Sequence, residues 1–282
     1  MKVFFSERMV ANSDSYSPSA GKPAQAVASW LANGFNIDIV EPDPVTFEQL
    51  CLAHDADFVS GVLSCAINNG FLNKNRGVAD SLPYTCGAML TAAREALASG
   101  GFACAPVSGF HHACWDHAGG FCTFNGLMVT ALTLLEEGLA KRVGILDCDM
   151  HYGNGTDNII KKLGVSGRIR HYSVGRYQVT SAMFLKNLKS LTRSFSGCDV
   201  LLYQAGADPH IDDPLGGWMT TDELRKRDRI VFETARAMKL PVGWCLAGGY
   251  IRDHDGGISA VLEIHDNTMI ECLAVFDGTG NH

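Results

Sequence analysis

The 282-residue sequence has ten cysteines and no Cys-x-x-Cys pair, so neither a zinc ribbon nor a disulfide framework is indicated. Thiols scattered this way read as reduced and mostly buried, and a cytoplasmic protein is expected. No apolar run approaches the roughly 20 residues that cross a bilayer. Glu7 also interrupts the amino terminus before an apolar stretch of signal-peptide length develops, so no membrane association is expected. Basic blocks are missing too. Asp and Glu outnumber Lys and Arg by 30 to 23, the formal net charge is -7, and the pI is near 5.8. That balance argues against a nucleic-acid backbone as the main partner, which requires a basic face. No Pro/Ser/Gly-rich linker, low-complexity tract or internal repeat divides the chain, so one domain over residues 1–282 is expected.

What is present is a regular alternation. Hydrophobic residues make up 46% of the chain, enough for a large core. Apolar segments of strand length lie at 2–5, 35–40, 102–107, 143–146, 199–203 and 241–246. Helix-like segments lie at 21–33, 46–53, 55–68, 84–98, 124–137, 155–163, 180–194, 221–239 and 257–267, while 69–83 reads as a polar surface loop. Strands separated by helices imply right-handed crossovers and a parallel sheet covered on both faces. The fold class is therefore α/β, a single three-layer αβα domain with a mainly parallel central sheet.

Four polar clusters fall just past the carboxyl ends of apolar segments, where open parallel sheets place ligand sites. They are Gly109-Phe110-His111-His112-Ala113, Asp147-Cys148-Asp149-Met150-His151, Gln204-Ala205-Gly206-Ala207-Asp208 and Ala247-Gly248-Gly249-Tyr250. Alternate residues of an extended chain end point the same way, so Asp149 and His151 can converge on one cation. An acidic residue at a strand end is equally a turn former or helix cap, so the run alone is ambiguous. With Asp208 it supplies two carboxylates and an imidazole, a ligand set that leaves coordination positions open and suits Zn2+ or Fe2+ in a hydrolytic site. Hydrolysis also needs a base and an acid. Adjacent His111 and His112 can divide these roles if their protonation differs, with Asp147 behind the first and Asn154 holding the second. Tyr250 can donate a hydrogen bond to an oxyanion.

These motifs resemble the zinc-dependent histone deacetylase and acetylpolyamine amidohydrolase superfamily, whose members share an arginase-like fold. The resemblance runs from His54-Asp55 through Gly119-Gly120-Phe121-Cys122 with Asn125, the run from Asp147 to Thr156, Gly206-Ala207-Asp208 and Asp213-Pro214-Leu215 to Tyr250. It implies zinc on Asp149, His151 and Asp208, and His112 as general base and acid. It further implies an electrostatic role for His111 with Asp147, and an oxyanion donor in Tyr250. Gly120 and Phe121 would line the acyl-amine channel. A potassium ion would match Asp147, Asp149, His151, Ser173 and Val174, mostly through backbone oxygens. The implied activity is removal of acetyl or another acyl group from a small-molecule or peptide amine. A homo-oligomer is compatible with the sequence.

Several features depart from that family. Ser15-Tyr16-Ser17-Pro18-Ser19-Ala20-Gly21 replaces the usual proline- and arginine-bearing stretch, so the family's inner channel arginine has no matched position. Gly175 replaces a usual histidine, and no second aromatic channel wall is assignable. Residues 69–84 lack the family's substrate-clamping aspartate. A binuclear manganese ureohydrolase of arginase type would need a carboxylate two residues past His151, where Gly153 stands. A catalytically silent binder of acylated ligands would be attractive had Tyr250 or a histidine been absent. His54, Cys122 and Cys148 read as structural, His117 and His210 as rim residues, and the turn at 253–257 as a helix cap.

Overall fold

The computed structural model describes residues 1–176 and 180–276; positions 177–179 and 277–282 of the expected domain lie outside it. Among the described residues the chain runs in order through β1 (Lys2–Phe4), α1 (Lys22–Ala32), β2 (Asp38–Val40), α2 (Phe47–Ala53), α3 (Ala56–Leu63), α4 (Arg76–Ser99), β3 (Phe102–Ser108) and α5 (Gly126–Glu136). There follow β4 (Val143–Asp147), α6 (Asn154–Leu163), β5 (Ile169–Ser173), α7 (Ser181–Arg193), β6 (Val200–Gly206), α8 (Thr221–Ala237), β7 (Val242–Ala247) and α9 (Ser259–Phe276). Seven strands form one sheet in the order β2-β1-β3-β7-β6-β4-β5, and every pairing is parallel.

Alternation along the strands explains the three layers. Ala103, Ala105 and Val107 of β3, Ile145 of β4 and Leu202 of β6 face the core packed by α2 to α6. Phe102 and Cys104, Leu146, Tyr203 and Trp244 face the opposite core, packed by α1, α7, α8 and α9. Both faces are dry, so the central strands β4, β6 and β7 are buried throughout, as parallel strands between helical layers must be.

The structure corrects three element boundaries and adds one strand. Residues 76–83 are helix, not loop: Asn75 caps the first turn by accepting from the Val78 amide, and α4 continues through Pro83. Proline removes one intrahelical donor there, yet buried Val78, Ala79 and Leu82 keep the segment packed. Helix α3 stops at Leu63, and Cys65 beyond it adopts a left-handed φ of 60°. Helix α9 runs past 267 to Phe276 because Thr268, Met269, Cys272 and Val275 bury its inner face. Strand β5 was not expected. Its sequence, Ile-Arg-His-Tyr-Ser, is polar because it is an edge strand hydrogen-bonded only to β4. Among the described residues no helix is long and apolar enough to cross a membrane.

Candidate active site

Strands β3, β7, β6 and β4 are consecutive neighbours in the sheet, and their carboxyl-end loops carry the four polar clusters to one place. His111 and His112 come from the loop after β3, Tyr250 from that after β7, Asp208 from that after β6, and Asp149 and His151 from that after β4. The ligand atoms of Asp149, His151 and Asp208 all lie within 4.8 Å of one another. His151 Nδ1 sits 2.9 Å from Asp208 Oδ2 and 3.2 Å from Asp149 Oδ1, so an imidazole N–H is held between two buried carboxylates. Backbone amides wrap the same oxygens: Met150 N donates to Asp208 Oδ1 and His151 N to Asp149 Oδ1.

Charge in this cluster is concentrated and poorly hydrated. Burial and the neighbouring charge of Asp149 push the Asp208 carboxyl up to about 7. Asp149 resists its own burial because the charge of His111 and the hydrogen bonds of His151 and Asp208 hold it low. Hydrogen bonds to both carboxylates raise His151 to about 10. A proton on His151 thus holds together two carboxylates that would otherwise repel. A divalent cation satisfies that donor set better, and the three residues fit such an ion in ligand type and convergence.

The paired histidines differ in partner. His111 Nδ1 donates to Asp147 Oδ2 at 2.7 Å, and the other Asp147 oxygen accepts from Gln204 Nε2 and from the Asp149 amide. Burial lowers the His111 pKa, but Asp147 and Asp149 overcome it and lift the group to about 9. His112 Nδ1 lies 2.6 Å from Asn154 Oδ1, and the other side of that amide faces Cys114 Sγ. Burial and the positive charge of His111, whose ring is 4.1 Å away, press His112 below its usual 6.5. One imidazole is therefore a cation and the next is neutral. With its Nδ1 proton engaged, neutral His112 keeps a lone pair on Nε2.

Gly120 lies against this base. Its φ is +51°, and a Cβ there would stand 2.3 Å from His112 Cδ2, so no larger residue fits. Phe121 follows in the left-handed region at φ 63°, with its ring 5.6 Å from that of Tyr250. Tyr250 is itself positioned through its amide, which donates to Asp213 Oδ2 at 2.7 Å. Burial is the main influence raising the phenol's pKa, so it stays protonated. Of the residues expected for potassium, Asp147 and Ser173 stand opposite one another in the β4–β5 ladder, with Val174 directly after. Ser173 Oγ accepts from the Gly153 amide.

Sequence reading missed several residues that the site uses. Lys22, at the start of α1, is completely buried and donates from Nζ to the Gly248 carbonyl. Burial lowers it to about 8, against the pull of Asp208, Asp149 and Asp213. This buried cation lies one residue past the stretch that departs from the family pattern. Nothing in the sequence marks a lone lysine as buried, since lysine is almost always exposed. Tyr16 and Phe71 meet the Phe121 ring at 5.3 and 5.9 Å and furnish the aromatic wall that had no assignment. Arg227, buried on α8, donates to the carbonyls of Cys148 and Gly206, tying together the ends of β4 and β6.

The remaining polar groups are structural. His54 donates to the Cys114 carbonyl and accepts from the Asn125 amide. His117 pairs with exposed Asp116, and His210 Nε2 lies 2.9 Å from Thr221 Oγ1. Burial pushes the Cys122 thiol up to about 12 and that of Cys148 higher still. Asp253 accepts from the amide and hydroxyl of Ser259, where α9 begins. A narrow cavity of about 10 Å³ touches His111, His112, Asp149, His151 and Tyr250. It adjoins a chamber of about 60 Å³ beside Val107, Phe110, Phe121 and Phe124.

Comparison with known proteins bears on the family and the fold. The histone deacetylase domain matches residues 19–181. An uncharacterized protein of Picosynechococcus is 28% identical over 256 residues, covering 77% of this chain and 82% of that protein. The acetylpolyamine amidohydrolase of Mycoplana ramosa is 28% identical over 173 residues, half of this chain and 49% of that protein. The crystal structure of an acetylpolyamine aminohydrolase from Burkholderia pseudomallei superposes with a TM-score of 0.73 at 19% identity, covering 97% of this chain and 98% of that one.

Proposed function

Because the chain belongs to the histone deacetylase domain family, a family of hydrolytic deacetylases, we propose that it is a zinc-dependent amidohydrolase removing acetyl or another small acyl group from an amine. The observation that carries the reading is the convergence of Asp149, His151 and Asp208 beside a neutral histidine and a protonated phenol. A divalent ion on those three residues would polarise the acyl carbonyl and acidify water. The chain's own groups supply the rest. His112, tied through Nδ1 to Asn154, offers Nε2 to the attacking water, takes its proton and passes it to the departing amine. His111, kept cationic by Asp147, prevents His112 from being protonated before water arrives and stabilises negative charge as it develops. Tyr250 donates its hydroxyl proton in a hydrogen bond to the tetrahedral oxyanion. Gly120, Phe121, Phe71 and Tyr16 enclose the substrate stem and exclude water. Potassium would be held by Asp147, Asp149, His151, Ser173 and Val174.

The substrates in view are acyl-lysine peptides, acetylated polyamines and small acylated metabolites, and the expected setting is the cytoplasm. The test is hydrolysis of a panel of these compounds by zinc-loaded protein, beside Asp208→Ala and His112→Ala. Turnover in the wild type that both variants abolish is the expected result. Turnover retained by either pure variant overturns the reading.

A further inference from the structure

A separate cleft lies away from this site. It has a volume of about 510 Å³ and lies near the amino ends of β4, β5 and β6, whereas the catalytic groups leave the carboxyl ends. Arg142, Arg168 and Arg170 line it, together with small residues such as Ser166, Ser194 and Gly197.

Three observations mark these arginines out. Among the described residues none of the three makes an ion pair, although the chain carries a net charge of -7 and its carboxylates have arginines to choose from. The nearby acids are committed elsewhere: Asp157 to His171, Tyr152 and Arg176, and Asp199 Oδ2 to the backbone amides of Lys141 and Arg142. Two of the guanidiniums are also held in place by neutral contacts. Arg168 Nη2 donates to the Leu135 carbonyl, and Arg170 donates to the Ser194 carbonyl while lying 5.5 Å over the Phe195 ring. Burial and the Asp199 carboxylate lift the half-buried Cys198 thiol while the charges of Arg170 and Arg142 pull it back, so both cations bear on one point of the wall beside that acid.

We propose that this cleft binds a phosphorylated small molecule, its phosphoryl oxygens gripped by Arg142, Arg168 and Arg170. Guanidinium forks match phosphoryl oxygens in pairs, and preordered side chains lose little entropy on binding. The cleft volume is that of a small-molecule site, and the acidic surface beyond it opposes a polyanionic strand.

Titration calorimetry of the zinc-loaded full-length chain with pyrophosphate and with ADP tests this, beside Arg142→Gln, Arg168→Gln and Asp208→Ala. The expected result is saturable one-to-one binding in about 0.15 M salt. Each arginine variant should weaken it about tenfold or more, and Asp208→Ala should leave it intact. Hydrolysis of the acyl-amine panel should be unchanged in both arginine variants. No saturable binding at millimolar ligand overturns the proposal. So does equal affinity in the arginine variants, or binding lost only in Asp208→Ala, which would place the anion at the metal residues.

Discussion

Asn154, the first residue of α6, accepts the Nδ1 proton of His112 with a neutral amide oxygen at 2.6 Å. Neutrality matters because the neighbouring His111 already carries the charge. His112 sits below its usual 6.5, so it remains a free base as the pH falls to that value. Asn154→Asp would place an anion on the same nitrogen and favour the imidazolium. The acid limb of kcat/KM should then move upward by about one to three pH units. An unmoved limb would show that His112 is not the group being read.

Cation binding and folding are linked through the carboxylate pair. In the metal-free chain Asp149 and Asp208 are held by a proton on His151, and a divalent ion should replace that proton. At a free zinc concentration about a hundred times Kd, the folded state should gain about 2.7 kcal/mol, read as a rise in melting temperature that a chelator reverses. Asp208→Ala should remain folded and show no such rise. A full zinc shift in that variant would mean the ion binds elsewhere.

The fold and the convergence of the polar clusters were legible because both depend on pattern. Strands β3, β4, β6 and β7 are buried on both faces, so their apolar runs stand out, and the polar clusters are the first residues beyond them. Strand β5 was invisible because only its ends are buried. Helix α4 was truncated because Pro83 reads as a boundary, although tertiary packing overrides it. Lys22, Tyr16 and Phe71 carry no motif at all. They reach the site from segments 40 or more residues away from His111 and Phe121 in sequence, by contacts that only the assembled fold creates.

Lys22 should act on catalysis through the loop it holds. Its ammonium meets the Gly248 carbonyl, and Gly248 at φ +49° presses so close to Asp208 that an added Cβ would lie 2.3 Å from the carboxyl carbon. Two residues later comes Tyr250. Lys22→Met should free this loop and lower kcat by up to about a hundredfold with little change in KM. Tyr250→Phe alone should lose roughly a hundred- to a thousandfold. If Lys22 works by placing the phenol, the two losses will not add, and Lys22→Met in the Tyr250→Phe background will have almost no further effect. Additive losses would show that the lysine acts on some other part of the site.

Acid should weaken the folded chain through His54. Its ring donates to the Cys114 carbonyl and accepts from the Asn125 amide, which fixes the neutral tautomer between α2 and the start of α5. Burial depresses it from 6.5 to about 4, with the backbone hydrogen bonds opposing. An unfolded chain therefore takes up this proton near 6.5 while the folded chain refuses it until about 4. The His54 contribution is whole above 6.5 and declines as the pH falls between those values, reaching a loss of about 2 kcal/mol at pH 5. His265 on α9, whose ring nitrogens have no hydrogen-bond partner among the described residues and which burial holds well below its usual range, pulls in the same direction. Urea midpoints at pH 7 and pH 5 for wild type and His54→Gln isolate the first effect. The wild type should lose about 2 kcal/mol more than the variant over that interval, because glutamine keeps a donor and an acceptor but has no proton to gain. Equal losses would mean that the ring is already protonated in the fold and that the Asn125 amide finds its acceptor elsewhere.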